Sequence, residues 1–407
     1  MKVVFVTPRY GPEIMGGAES ASRLLAEHLA TEPGFEVAAY STCALDDRTW
    51  ENDLAPGETD VNGVTLTRFT VAKERPEEFF EFDGKLRRSP RHVTWEQSEH
   101  WLDLNGPVVP ELIDALRHAD ADIAVFSPYL FLSTVVGIRS ARMPTVLHPA
   151  AHDEPALYFP AVGDAFARSD ALCYYSAAER RLVQRIYPVA QKAQIVLGTG
   201  LGDPIEGGRR GGDLLGLGDR PYLISVGRVD DRKGSDMLDT FFRRYKEHRP
   251  GPLALALVGR VHSTIEAHPD IVVTGEVDEP TKWDLLRDAA AAVSPSAMES
   301  FSLAIMEAWE QAVPVVVNAR CEPTRDHCTH SGGGLWFGSY RQFEVVIDRL
   351  SSDAELRQRL GASGRAYVQE HYQWPAVTAR YARFLESVVE RGASDRSERG
   401  LRLRWPS

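Results

Sequence analysis

At 407 residues the chain exceeds what one ordinary hydrophobic core organises and suits two domains with a tail. Hydrophobic residues at 43% and charged residues at 26% exclude a fibrous or largely disordered chain. Acidic residues outnumber basic ones 58 to 46, a net charge of −12, which excludes a general nucleic-acid binder, because such binding relies on Lys and Arg neutralising phosphates. A local basic pocket for a diphosphate stays open. The four cysteines, Cys43, Cys173, Cys321 and Cys328, are too few and too scattered for a disulfide scaffold.

The sequence starts directly on a strand pattern, MKVVFVTP, a poor signal peptide. It holds no run of about 18 apolar residues that would span a membrane. The expected location is the cytoplasm, with room for peripheral membrane contact. Short apolar runs alternate with amphipathic stretches along the whole chain, the pattern of a parallel-sheet α/β protein. Strands are expected at 3–6, 36–40, 64–69, 123–126 and 145–147. After Gly17 the apolar positions Ala18, Ala21, Leu24, Leu25 and Leu29 fall on one side of a helix, with Glu19, Arg23 and Glu27 elsewhere. Between 198 and 219 the composition shifts to GTGLGDPIEGGRRGGDLLGLGD, whose glycine density reads as an interdomain linker. A second α/β pattern follows, with strands at 222–226, 253–258, 271–274, 291–293 and 315–317, and a last helix over 374–391. The expected division is 1–203, a linker at 204–220, a second domain at 221–373, a C-terminal helix at 374–392 and a frayed tail at 393–407.

Several strand exits carry chemistry-bearing residues. Tyr10-Gly-Pro-Glu-Ile-Met-Gly16-Gly17-Ala-Glu19 is a glycine-rich turn, where glycine permits positive φ and close backbone approach; a plain structural turn is the alternative. It lacks the spacing of a dinucleotide fingerprint. His148 and His152 sit in an irregular Pro-containing loop after a strand, with no obvious third ligand for a metal. Arg228 and Lys233, in Val226-Gly-Arg-Val-Asp-Asp-Arg-Lys-Gly234, place two cations where a strand ends, either solvated or aimed at a developing anionic leaving group. Val277 and Lys282 follow another strand. Glu299 lies in a loop and Glu307 on the helix that starts near Phe301–Ser302, so that a helix N-terminus, a ready diphosphate site, falls between two carboxylates. Two solvated glutamates would show the same spacing. Cys321, His327, Cys328 and His330 lack ordinary zinc spacing and read as a loop beside that site.

Glu299-Ser-Phe-Ser-Leu-Ala-Ile-Met-Glu307-Ala resembles the E-x7-E signature of retaining GT-B glycosyltransferases of family 4, also called glycosyltransferase group 1. Gly227-Arg228 through Lys233-Gly234 resembles that family's G-R-x-x-x-x-K-G motif. The resemblance covers nearly the whole chain but is sharp only from 222 to 317. It implies two Rossmann-like parallel-sheet domains facing across a cleft, an N-terminal acceptor domain and a C-terminal donor domain, with the C-terminal helix crossing back to the first. It further implies a nucleoside-diphosphate sugar donor, UDP- or GDP-linked, and transfer to a hydroxyl acceptor with retention. Arg228 and Lys233 would clamp the diphosphate, Glu299 the sugar hydroxyls and Glu307 the ribose. Val277 and Lys282 would meet the nucleotide, and Phe301, Ser302 and Leu303 would line the donor site. Gly16 and Gly17 would approach the diphosphate, and His152, with His148 as the alternative, would face the sugar. No metal and no cofactor beyond the donor are expected. The family usually has Gly where this chain has Ser302 and Ala312. Other readings on the same fold are an epimerase or phosphorylase, or a non-catalytic nucleotide-sugar sensor or partner subunit. The acceptor and the role of the aromatic-rich stretch 45–110, with Trp50, Trp95, Trp101, Phe79, Phe80 and Phe82, stay open between ligand contact and core packing.

Overall fold

A central strand of a parallel sheet is covered on both faces by crossover helices, so it reads as a continuous apolar run. Lys2–Val6 (β1) meets that condition with Val3, Val4, Phe5 and Val6 all buried. The computed structural model describes residues 1–14, 17–205 and 207–402, with 393–402 as backbone only. Gly16 and the end of the tail thus lie outside the described residues.

The chain divides into two units, one formed by Met1–Thr199 with the chain from Val377 onward, the other by Gly200–Ala376. In the first, β1 is joined by Glu36–Thr42 (β2), Gly57–Val61 (β3), Val64–Phe69 (β4), Ile123–Phe126 (β5), Thr145–Leu147 (β6), Ala171–Tyr174 (β7) and Ala193–Val196 (β8). Their order is β3-β4-β2-β1-β5-β6-β7-β8, with only β3 antiparallel to its neighbour. The second unit holds Tyr222–Val226 (β9), Ala254–Val258 (β10), Ile271–Gly275 (β11), Ala291–Ser294 (β12), Val315–Asn318 (β13) and Gly334–Phe337 (β14), ordered β11-β10-β9-β12-β13-β14 and parallel throughout. In each unit the parallel strands therefore deliver their C-terminal ends to one edge, where ligands of doubly wound sheets bind. Among the described residues no helix is long and apolar enough to cross a membrane.

Three features differ from the sequence expectation. The glycine-rich stretch is not a free linker but is docked on the second unit. Asp284, fully buried on the helix Glu279–Arg287, accepts the backbone N–H groups of Gly208 (3.2 Å) and Arg209 (3.0 Å), and Asp288 accepts that of Gly211 (2.7 Å). Its glycines are needed for close approach: a Cβ on Gly211 would lie 2.2 Å from the Tyr222 hydroxyl. Second, the last helix runs over Trp374–Arg402 rather than ending near 391. Third, Glu19 and Glu27, assigned to the polar side of the first helix (Gly17–Ala30), are buried because each has a cation to pair with. Arg9 reaches Glu19 at 2.5 Å and Arg23 reaches Glu27 at 2.7 Å. From Val377 the C-terminal helix packs within the first unit, with Arg380 donating to the Leu197 carbonyl at 3.2 Å.

The aromatic-rich stretch is mostly core. Trp50 and Trp101 are buried with their indole N–H groups on Asn105 O (2.6 Å) and Asp83 Oδ1 (2.8 Å), and Phe79 packs on Trp101; Phe80 and Trp95 are exposed. The same stretch braces the loop after β6. Arg87 bonds Asp83 and lies 3.7 Å from Glu154, which accepts from Tyr129 Oη at 2.9 Å.

Candidate functional site

The exit of β9 is built on glycine. Gly227 has φ 139°, and its carbonyl sits where a Cβ on Gly259 would lie only 2.1 Å away. Arg228 follows, half-exposed, with its Nε 3.5 Å from Asp230 Oδ2. Asp230 then accepts the Lys233 N–H at 2.7 Å and closes a single helical turn, Asp231–Lys233. Gly234 must be glycine twice over: φ is 77°, and a Cβ would stand 2.8 Å from the Pro295 carbonyl. This close pass sets the β9 exit against the β12 exit. Lys233 Nζ there reaches Glu299 Oε1 at 2.7 Å.

The β12 exit is pinned from below by Asn318, whose Nδ2 donates to Pro295 O at 2.9 Å, and internally by Ser296, whose hydroxyl bonds the Met298 backbone. Phe301 anchors its far end, with the ring buried edge-on against His327 and Tyr372 at centroid distances of 5.2 and 5.0 Å. The helix begins at Leu303, one to two residues later than expected, and runs over Leu303–Glu310. Ser302, before it, takes φ 77° and ψ 85°, and its side chain makes no capping bond. Glu307, a turn into the helix, meets Lys282 Nζ at 2.7 Å, and Lys282 also holds Glu279 at 2.8 Å. Burial pulls the Lys282 ammonium down, but the two carboxylates more than offset this and leave it above its ordinary value. Burial holds the Glu307 carboxyl above the usual range, Lys282 cancelling only part of the effect. Val277 is half-buried where β11 leads into the helix Glu279–Arg287, whose N-cap Asp278 accepts from Thr281 N at 2.9 Å.

At one edge of one sheet, then, stand three cations, the four carboxylates that face them and a helix N-terminus, with Lys233–Glu299 and Lys282–Glu307 the shortest pairs. Such a set can neutralise a diphosphate and accept from several hydroxyls. Residues 215–367 match the family described as glycosyl transferases group 1. The match takes in every strand of the second sheet, β9 to β14. A curated relative, glycosyltransferase 1 domain-containing protein 1 of Xenopus tropicalis, is 26% identical over 165 residues, 38% of this chain and 47% of that protein. The chain spans about half the length of the curated relatives it matches. Sucrose-phosphate synthase from Thermosynechococcus elongatus shares the fold with a TM-score of 0.70 at 18% identity, covering 95% of this chain and 98% of that one. Anabaena HepE in complex with UDP and glucose gives a TM-score of 0.67 at 15% identity, with 95% and 100% covered. The fold is GT-B.

Within the matched residues the structure brings Arg228, Lys233, Lys282, Glu299, Ser302, Leu303 and Glu307 to the same strand edge, with Val277 at the neighbouring exit. The ring of Phe301 is packed inward, so any ligand contact there is through backbone. Cys321 and Cys328 are buried thiols, and His327, pushed down to about 4 by burial, bonds Tyr367 Oη at 3.0 Å. In the first unit Gly17 opens its helix exposed and without positive φ, and a Cβ there would meet nothing within 4 Å. His148 is interior: its Nε2 is 2.8 Å from Tyr381 Oη, and burial pushes it down to about 3. His152 is half-buried in the loop beyond. Sequence reading gave no role to Asp230, Glu279, Asn318 or Glu179. Asp230 and Glu279 stand three residues before Lys233 and Lys282, a spacing that brings side chain and partner together in a helical turn. Asn318 acts on another strand exit and leaves no local signal, and Glu179 carries only the Ser176-x-x-Glu179 spacing of a helix start, which says nothing of its bond to Ala151.

Proposed function

We propose that the chain transfers a sugar from a nucleoside-diphosphate sugar to a hydroxyl acceptor, with retention at the anomeric carbon. The observation that carries this is the pair of Lys–Glu contacts, Lys233–Glu299 and Lys282–Glu307, at the C-terminal edge of the second sheet. Each joins a cation suited to an anionic donor with a carboxylate suited to hydroxyls. As the sugar–phosphate bond breaks, charge builds on the diphosphate. Arg228, Lys233 and the N–H groups opening Leu303–Glu310 stabilise it, a role in which fixed cations act without a metal. Glu299 accepts from the sugar hydroxyls and Glu307 from the ribose, while Val277 and Lys282 flank the base side. His152, which unlike His148 is not enclosed in the core, faces the sugar. The acceptor hydroxyl attacks from the leaving group's side and its proton passes to the departing phosphate. UDP is the first nucleotide to test, since HepE, which shares the fold, binds UDP and glucose.

Thermal shift with UDP, GDP and UDP-glucose tests the donor. A ligand at 100 times its Kd stabilises the folded state by about 2.7 kcal/mol. The expected result is a rise in Tm with one nucleoside diphosphate; a chain indifferent to every one of them overturns the reading. Release of UDP from UDP-glucose over a panel of hydroxyl acceptors tests transfer. Binding without any turnover would replace the enzyme by a nucleotide-sugar sensor.

A further inference from the structure

Glu179 is an ionisable residue with no part in the donor site, yet it is 2% exposed. It projects from the first turn of the helix Ala177–Ile186, whose N-cap, Ser176, already accepts the Glu179 N–H at 3.1 Å. At that third helical position its carboxyl also takes the Ser176 N–H, the other half of a capping box. Beyond the cap, its Oε1 accepts from Ala151 N at 2.7 Å and its Oε2 from Tyr175 N at 2.6 Å. One carboxyl thus bridges the exits of β6 and β7. Burial pushes it up to about 8, with the N–H groups of Ala151, Tyr175, Ser176 and Ala150 offsetting only part of that push. Burying an ionisable group is costly unless it is hydrogen-bonded, and here the donors are backbone N–H groups at two strand exits.

What it fixes is the loop carrying His152. That loop turns at Ala150, a non-glycine residue with φ 55°. An alanine in the left-handed region costs roughly 1–2 kcal/mol and has no side chain with which to hold itself there. The Glu179 bond to the next residue, Ala151, supplies the hold, one position before His152.

We propose that Glu179 is a positioning residue: by clamping the Ala150–Ala151 backbone it sets the place of the His152 imidazole for the transfer step. This rests on the role of His152 given above. Glu179→Met, which keeps the volume and removes both acceptors, is expected to lower kcat for UDP-glucose turnover roughly 10²-fold, the order of loss that about 1 Å of misplacement causes. KM for UDP-glucose and the UDP-induced Tm shift are expected to stay near wild type, because the nucleotide contacts belong to the second unit. Glu179→Gln keeps one strong acceptor and is expected to fall between. Combined with His152→Ala, either variant should add little, since both act through one side chain.

Wild-type kcat in Glu179→Met, a loss that appears in KM, or losses that multiply with His152→Ala would overturn the proposal. Should Glu179→Met fail to fold, the Glu179→Gln and His152→Ala cycle decides alone. Failure of the donor reading is seen separately, as wild-type protein that neither shifts with UDP nor consumes UDP-glucose.

Discussion

Lys233 and Glu299 meet at 2.7 Å with side chains 34% and 16% exposed, whereas Glu179 is 2% exposed with both oxygens on backbone N–H groups. Both arrangements sit at strand exits of a parallel sheet. In the second unit the charges are held by side chains of opposite sign, which a ligand's own charges can replace. In the first an ionisable carboxyl is held by backbone N–H groups, which a ligand's charges do not replace. The exchangeable pairs suit recognition and the fixed carboxyl suits support. That difference is open to attack at several points.

The largest effect is expected at the exchangeable pair. Lys233→Ala should cut UDP-glucose turnover by about 10²–10³-fold, the usual loss when one donor to developing charge is removed. Its stability should change by no more than about 1 kcal/mol, because a partly exposed ion pair contributes little. Glu299→Gln separates the two roles of the carboxylate. Transfer should fall while UDP alone binds several-fold more tightly in calorimetry, since Lys233 no longer has to leave an anionic partner. Weaker UDP binding in Glu299→Gln would mean that the pair is scaffold, and the contrast with Glu179 would collapse.

The next effect is a pH dependence that each unit carries in one buried imidazole. His148 in the first unit is pushed down to about 3 and His327 in the second to about 4, both by burial, against 6.5 when unfolded. A depressed pKa means that the unfolded state takes up protons first as pH falls. The stability these residues contribute is therefore complete above pH 6.5 and lost on the way to pH 4 or 3. At pH 5 the loss is about 2 kcal/mol for each. His148→Gln and His327→Gln should each flatten the fall in Tm between pH 7.5 and pH 5. An unchanged slope in either variant would show that its ring is charged in the folded protein.

Legibility in the sequence follows the same division. Glu299 and Glu307 are read from spacing because a loop and the helix it feeds keep them close in sequence. Their cations, 66 and 25 residues away, come from neighbouring strand exits and are recognisable only because each sits in its own short motif. The buried runs of β1, β5, β9 and β13 stand out through their continuous apolar character. The edge strand β3, GETDV, is almost wholly exposed and polar, and only the Asn62-Gly63 turn that pairs it with β4, with φ 53° and 84°, marks it. β8 and β14 are short edges without a clean pattern. Glu179 is marked locally only by its place three residues after Ser176, a helix-start spacing, and its further role depends on a backbone N–H 28 residues away. The docked glycine stretch misled for a related reason: composition reveals freedom of backbone but not that Asp284 and Asp288 use it.

The smallest expected effect concerns the two positions where the group 1 family usually has glycine. Ser302 has φ 77° and Ala312 has φ 55°, so the backbone keeps the left-handed turn at both even though neither residue is glycine. The surroundings enforce it. The carbonyl of Ala312 lies where a Cβ on Gly361 would come within 1.7 Å, so the turn cannot relax towards the helix Ala354–His371. Restoring glycine removes about 1–2 kcal/mol of strain at each site, and greater freedom in the unfolded chain returns roughly 0.5–1 kcal/mol of that. Ala312→Gly, remote from the paired charges, should therefore raise stability by about 0.5–1 kcal/mol in urea titrations and leave UDP-glucose turnover unchanged. Ser302→Gly should stabilise equally but lower UDP-glucose affinity a few-fold, because it deletes a hydroxyl that the helix itself does not use as a cap. Equal affinity in the two glycine variants would assign Ser302 to tolerated strain, and the recognition groups of the second unit would then be its paired charges and backbone alone.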